Sequence, residues 1–411
     1  MRRIRLATAA AAALLLGAPS LNAVQVATVG DTQLNIYGWV WVYGHYYADA
    51  TEEQNGYAGS LFYNYTSNPT SALPTDTHLL PDKQIVMGAQ PTRFGFLSST
   101  PSANLGPVTT QIEYDINGSN SNLRQANIKV GNWTFGRSWT LFGDRDCWME
   151  TADWCGPVGL PSWLQPRPYV VQYLRKIDSK QFWGVSLEQQ TTTNAGAVYL
   201  DGNTPKAGTA SMRYPSLVAG YTYKDTWGHI AVRGLGQYYA AFSPATASVG
   251  KKNYGKMEYA WLASGDIRLS KADDFLWSFY QGDALGCYGT GYQSVVFNHA
   301  DQSVKAFRSL GWAAGVSHTW SPKYRSNVYV GGLQYKDPGL TGAGAYYYYL
   351  KSGFSLFANT FIFFNPYVDM GIEYGMEQAR AAGFNVARDS NNNVTNHNTN
   401  RKINISLRAR F

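Results

Sequence analysis

The densest run of chemistry-bearing residues lies between Thr134 and Pro157, where the segment Asp144, Asp146, Glu150 and Asp153 follows Thr-Phe-Gly-Arg-Ser-Trp (134–139). Carboxylates spaced this closely need cationic partners if they point inward. The candidates are Arg93 in Thr-Arg-Phe-Gly-Phe, Arg137 just before the acidic segment and Arg167 just after it. Acids on one side of a narrow aqueous passage and arginines on the other would set up a transverse field, which orients dipolar solutes and favours one ion sign. Left in open solvent, the same residues would be ordinary loop charges. Cys147 and Cys155 share the segment. In an oxidising compartment they are expected to bond and stiffen it, the alternative being two free thiols, with Cys287 left over.

Turnover chemistry is poorly supplied. His45, His78, His229, His299, His318 and His397 are scattered without metal-ligand spacing, and the chain has no phosphate-cradling glycine loop, no Gly-x-Ser-x-Gly and no Cys-x-x-Cys. Glu113 and Asp115 share one strand face and could do acid–base work, but a water-filled lumen needs polar residues there anyway. Neither a cofactor nor a metal is implied.

The elements that must position these residues are strands. Val108–Asn117 sets Val108, Thr110, Ile112, Tyr114 and Ile116 against Thr109, Gln111, Glu113 and Asp115. The terminal RKINISLRARF sets Ile403, Ile405, Leu407, Ala409 and Phe411 against Lys402, Asn404, Ser406, Arg408 and Arg410. Such alternation is a strand with one apolar and one wet face. Sixteen segments of this kind are predicted, at 33–47, 90–99, 107–117, 122–130, 133–143, 166–175, 181–189, 215–223, 229–237, 257–269, 275–282, 309–320, 324–335, 346–356, 363–374 and 401–411. Short turns such as Gly131-Asn132 and 321–323 alternate with long connections such as 48–89, 144–165 and 190–214. This is the rhythm of a transmembrane β-barrel, whose closure pairs every backbone group in hydrocarbon.

Composition agrees. The 411 residues are 45% hydrophobic and 15% aromatic but only 15% charged, below the quarter or so usual for soluble chains. Residues 1–23 carry Arg2, Arg3 and Arg5, an apolar stretch from Leu6 to Leu16 and a small-residue site at Ala23, which reads as a signal peptide, with Ala27 as a second possible cut. Its removal leaves 31 basic against 27 acidic residues, so the basic isoelectric point gives little support to nucleic-acid binding. Residues 24–411 are then expected to form one all-β unit: a sixteen-stranded antiparallel transmembrane β-barrel with short periplasmic turns, long extracellular loops and an inward-folded constriction loop at about 143–164. Strand parity adds Lys129, Arg233, Arg268 and Arg325, with Glu113 and Asp115, to the lumen charges. In the first strand Ile36, Val40 and Val42 oppose Tyr37, Trp39, Trp41 and Tyr43, as for a wall at a subunit interface whose aromatics partly line the lumen, the alternative being a strand that contributes to the aromatic girdles.

The chain resembles the DcaP-like trimeric porins of Gram-negative bacteria. The likeness runs through Asn-Ile-Tyr-Gly-Trp-Val (35–40), residues 92–96, 108–115 and 123–142, and Arg-Tyr-Pro-Ser-Leu-Val-Ala-Gly-Tyr-Thr-Tyr (213–223) followed by Trp-Gly-His-Ile (227–230). It implies a homotrimer in the bacterial outer membrane, surrounded by its lipids, passing small, preferably anionic organic solutes such as dicarboxylates. It also implies that Arg93, Arg137 and Arg167 stand in the constriction. The acidity of the 143–157 loop, its cysteine pair, and Trp41 and Tyr43 depart from that pattern. Two other functions fit a barrel: a plugged binding or adhesion protein, which would not conduct, and an outer-membrane hydrolase, which would need a lumen nucleophile. A secreted β-sandwich would extract without detergent.

Overall fold

The computed structural model describes residues 23–49, 51–52, 79–80, 83–117, 120–153, 166–190, 200–201, 204–205, 210–243, 252–283, 285–288, 295–298, 303–339, 345–346, 349–382, 387–388, 394–395 and 397–411. Sixteen antiparallel staves form one closed sheet. In chain order they are β1 (Thr32–Tyr47), β2 (Arg93–Thr100, extended upward by Gln84–Gly88), β3 (Val108–Asn117), β4 (Asn120–Val130), β5 (Trp133–Arg137), β6 (Tyr169–Lys176), β7 (Gln181–Gln189) and β8 (Ser216–Asp225, extended by Ala210–Met212). There follow β9 (Gly228–Ser243), β10 (Lys252–Arg268), β11 (Asp273–Asp283), β12 (Arg308–Ser321), β13 (Tyr324–Lys336), β14 (Tyr349–Phe363), β15 (Val368–Ala382) and β16 (His397–Arg410).

Each stave pairs with its sequence neighbour, and β1 meets β16 from Trp39↔Arg410 to Tyr47↔Lys402. Gly38 and Phe411 exchange both backbone hydrogen bonds at 2.9 and 3.0 Å, so the terminal residue completes the seam. The two faces follow the alternation in the sequence. On β16, Ile403, Ile405 and Leu407 are exposed outward while Lys402, Asn404 and Ser406 are buried inside. On β1, Val40 and Val42 face out, and Tyr37, Tyr43 and Tyr47 are fully covered within the barrel. An apolar exterior with a hydrogen-bonded, charged interior is the inverse of a soluble domain, and hydrocarbon outside with water inside accounts for it. Among the described residues no helix is long and apolar enough to cross a membrane.

Several details differ from the sequence-based expectation, among them the strands expected at 346–356 and 363–374, which run from Tyr349 to Phe363 and from Val368 to Ala382. A short strand, Val24–Val29, folds back on the start of β1 with Val24 opposite Ile36; its six residues carry too little pattern to stand out. The fifth strand ends at Arg137 rather than at 143. Beyond it the amides of Ser138 and Thr140 donate to the carbonyls of Pro168 and Pro166 at 3.1 Å each, but proline has no N–H to return, so the ladder becomes one-sided and stops. Finally, β9 and β10 run well past their expected ends, at Ser243 and from Lys252. Residues 1–22 of the segment 1–23 expected as a signal peptide, and much of the long loops, lie outside the described residues.

Candidate functional site: a charged constriction

The interior is narrowed by residues 138–153, which leave the wall after β5 and run along the inner surface of the opposite staves. Gly136 releases them: its φ is +106°, and a Cβ there would lie 2.3 Å from the Ala126 carbonyl oxygen, a conformation that only glycine adopts without strain. The fully buried Glu188 of β7 then accepts hydrogen bonds from Thr140 Oγ1 at 2.6 Å and from the Leu141 amide at 2.8 Å. Phe142 packs into a buried cluster with Val218, Leu235, Leu262, Tyr280 and Tyr288. The loop is thus seated by apolar contact before its charges are placed.

Its carboxylates dock one after another on the wall. Asp144 Oδ2 meets His229 Nε2 at 2.8 Å and accepts from Ser264 Oγ at 2.7 Å. Burial alone would raise this carboxyl, but His229 and Arg233 hold it well below the usual carboxylate range. Glu150 pairs with Arg325 of β13 and, at 3.0 Å, with Arg408 of β16; those two guanidiniums outweigh its desolvation and also depress it. Asp153 pairs with Lys402 of β16, both side chains having no exposed surface, and Glu377 lies 3.8 Å from the same ammonium. Glu373 accepts the Ala152 and Asp153 amides at 2.9 and 3.0 Å. Asp146, the most exposed of the four, pairs with Lys224 at 3.1 Å.

The arginines gather on the other side. Arg93 lies 4.4 Å above the Trp39 ring and 3.5 Å from Glu113. Arg145, the loop residue next to Asp144, and Arg167 both stack on Trp139, at 4.5 and 4.1 Å. Burial lowers Arg145 to about 10, against the opposing pull of Glu113, so it stays a cation at neutral pH. Arg124 pairs with Asp115 and comes within 3.8 Å of Glu113. Arg137 of β5 and Lys129 of β4 stand on adjoining strands of this wall, Arg137 opposite Ala126 and Lys129 opposite Thr134. Buried Nε atoms of Arg93, Arg124, Arg137 and Arg167 have no hydrogen-bond partner. The carboxylates on this side are Glu113, which accepts from Tyr37 Oη at 3.1 Å, and Asp115.

Arg93, Arg137 and Arg167 therefore share one wall with Glu113, Asp115 and Lys129, whereas Asp144, Glu150 and Asp153 are bound to a different set of cations. Of the other residues singled out in the sequence, Arg325 is a partner of Glu150. Arg233 binds the carbonyls of Leu141 and Tyr221, at 3.0 and 2.6 Å, and braces the loop. Arg268 lies at the short-turn rim, 57% exposed and 3.7 Å from Asp274, away from the constriction. The expected Cys147–Cys155 bond is corrected: Cys147 carries a free, buried thiol whose sulfur is directed at the Asp144 carbonyl oxygen, 3.5 Å away. Cys155 and the side chain of Cys287 lie outside the described residues.

Sequence parity missed Arg124 and Arg145. Arg124 sits in a bulge, since Glu113 pairs with Gln125 but Tyr114 pairs with Leu123, and the extra residue turns inward where alternation would send it to lipid. A basic residue on an otherwise apolar face was the one available signal.

A model of the family described as DcaP outer membrane protein matches residues 26–403. Among solved structures, the outer membrane channel DcaP of Acinetobacter baumannii superposes with a TM-score of 0.70 at 17% identity, covering 94% of this chain and all of the other. An anion-selective porin from Comamonas acidovorans matches with a TM-score of 0.55 at 9% identity, over 92% of this chain and all of that one. A trimer form of OmpT from Vibrio cholerae matches with a TM-score of 0.51 at 10% identity, over 92% and 99% of the two chains. No curated protein matches.

Proposed function

The chain belongs to the DcaP outer membrane protein family, and on that premise we propose that it is a passive, anion-preferring porin for small organic solutes bearing carboxylates, working as a homotrimer. A member of this family resides in the outer membrane, where solutes cross down their gradients without turnover or a cofactor. The observation that carries the anion preference is the division of charge around the constriction. Among the described residues, Arg93, Arg124, Lys129, Arg137, Arg145 and Arg167 gather on the side of Glu113 and Asp115, with Asp146 also acting on Arg145. Of the loop carboxylates that could have cancelled that excess, Asp144, Glu150 and Asp153 are paired with His229, Arg325, Arg408 and Lys402, and Asp146 with Lys224.

A carboxylate entering this field meets the guanidiniums of Arg93, Arg145 and Arg167 placed over tryptophan rings, contacts that help to fix their charge. A pore must also let the solute leave, so several arginines of shared charge suit it better than one tight pocket. Substitution of Arg93 or Arg137 by Glu tests this reading. One unit charge near a filter is worth about 1 kcal/mol at partly screened distances, so each reversal should lower the anion-to-cation permeability ratio at least fivefold or so. Unchanged ratios in both variants would remove these residues from the filter. A plugged binding barrel, the competing reading, would show no conductance at all.

A further inference from the structure

The motif Trp227-Gly228-His229-Ile230 holds the histidine that pairs with Asp144 of the loop. His229 stands at the start of β9 with no exposed surface. Its Nδ1 is bonded to Asp266 of β10, and its Nε2 lies 2.8 Å from Asp144 of the constriction loop. Both ring nitrogens therefore face carboxylate oxygens, and both bonds can be donated only by an imidazolium. The ring is a cation clamped between a wall acid and a loop acid.

We propose that His229 is the positioning residue of the filter, fastening Asp144 to the wall so that the adjoining Arg145 is held against Trp139 on the solute side. The inference rests on the anion-filter reading for its functional consequence but on geometry for its mechanism. Asp144 is the hinge point: its Oδ1 accepts the Asp146 amide at 3.1 Å, and the Trp148 amide donates to the Arg145 carbonyl at 3.3 Å, so one tight turn carries both charges in opposite directions. Loss of the proton from His229 would leave Asp144 and Asp266 facing a neutral ring, freeing the turn and adding uncompensated negative charge beside the passage. The other groups packed around the clamp would not replace it. Arg233 of β9 is committed to the Leu141 and Tyr221 carbonyls and to Thr222. Ser264 of β10 is neutral, and Lys224 of β8 is paired with Asp146. Cys147, in the same turn, is raised by burial and by the Asp144 charge and stays a thiol.

The test compares the full-length protein with His229→Gln and Asp266→Asn, by reversal potential in a planar bilayer from about pH 6 to about pH 9.5 and by hydrogen exchange of the peptide spanning residues 140–148. The wild type should lose about fivefold in anion-to-cation permeability as pH rises, the scale of one partly screened charge. His229→Gln should hold the low ratio throughout with no pH step. Asp266→Asn, which keeps the loop contact but removes one of the two acids, should shift the step to lower pH. Exchange of the loop peptide should be roughly tenfold faster in His229→Gln at neutral pH. Wild-type exchange in that variant would overturn the proposal whatever the ion selectivity, as would a wild-type pH profile. Faster exchange in a channel that is not anion-selective would uphold the clamp and overturn the filter reading instead.

Discussion

Asp144, Glu150 and Asp153 are similar acids within one loop, and their partners decide what each does. With carboxyls depressed by their cations, Asp144 and Glu150 contribute stability that is fully present above the ordinary carboxylate pKa of about 4. That stability is lost only as pH falls through their lowered values. Single-channel records should accordingly show an unchanged open level from neutral pH to about pH 4, with loop-release noise only in stronger acid; noise that begins well above that point would show that these pairs do not hold the loop. The Lys402 pair makes a harsher prediction. Replacement of Lys402 by Met would strand Asp153 and Glu377 without their ammonium in a site of no exposure, a loss of about 3–5 kcal/mol, visible as a lower unfolding temperature by heat-modified gel mobility. At this scale the sequence was half legible. Strict alternation singled out Glu113, Asp115, Lys129, Arg233, Arg268 and Arg325 as inward-facing residues, because a barrel strand has only two faces, and of these Arg268 lies exposed at the short-turn rim. Alternation could not say which acid meets which base, since those pairs join positions as remote as Glu150 and Arg408.

Strands were the most readable elements, and the exceptions have local causes. The bulge in β4 is invisible to a period of two, yet it delivers Arg124 to the lumen. The end of β5 was obscured because Ser138, Thr140 and Phe142 prolong the pattern of a strand while Pro166 and Pro168 deny them a partner ladder. Gly136 controls the same exit. Substitution of Gly136 by Ala would force a positive φ on a residue with a Cβ and press it against the Ala126 carbonyl, a strain of about 1–3 kcal/mol. The expected outcome is a folded barrel with lower thermal stability and weakened anion preference, because Arg137 is displaced along with the strand end; full wild-type selectivity and stability together would mean that the exit is not set by this residue.

On the scale of the whole molecule, the closed sheet of sixteen staves, its apolar exterior and its seam at Phe411 predict a barrel that resists detergent until heated. The unheated protein should migrate differently from the boiled one in detergent gels, and cross-linking in mild detergent should yield a trimer for the proposed assembly. The mature chain isolated from outer membranes should begin at Val24, as read by intact mass, for the proposed removal of residues 1–23. The architecture could be foreseen because membrane closure leaves few solutions, whereas the route of the constriction loop across the interior could not, because loop paths obey side-chain contacts rather than period. The most direct test of the central claim is the reversal potential of the purified wild-type protein in a planar bilayer under a salt gradient. The account predicts discrete conductance steps with a reversal potential of the sign that marks anion preference. Cation preference would contradict it, showing that the loop carboxylates dominate the field despite their partners.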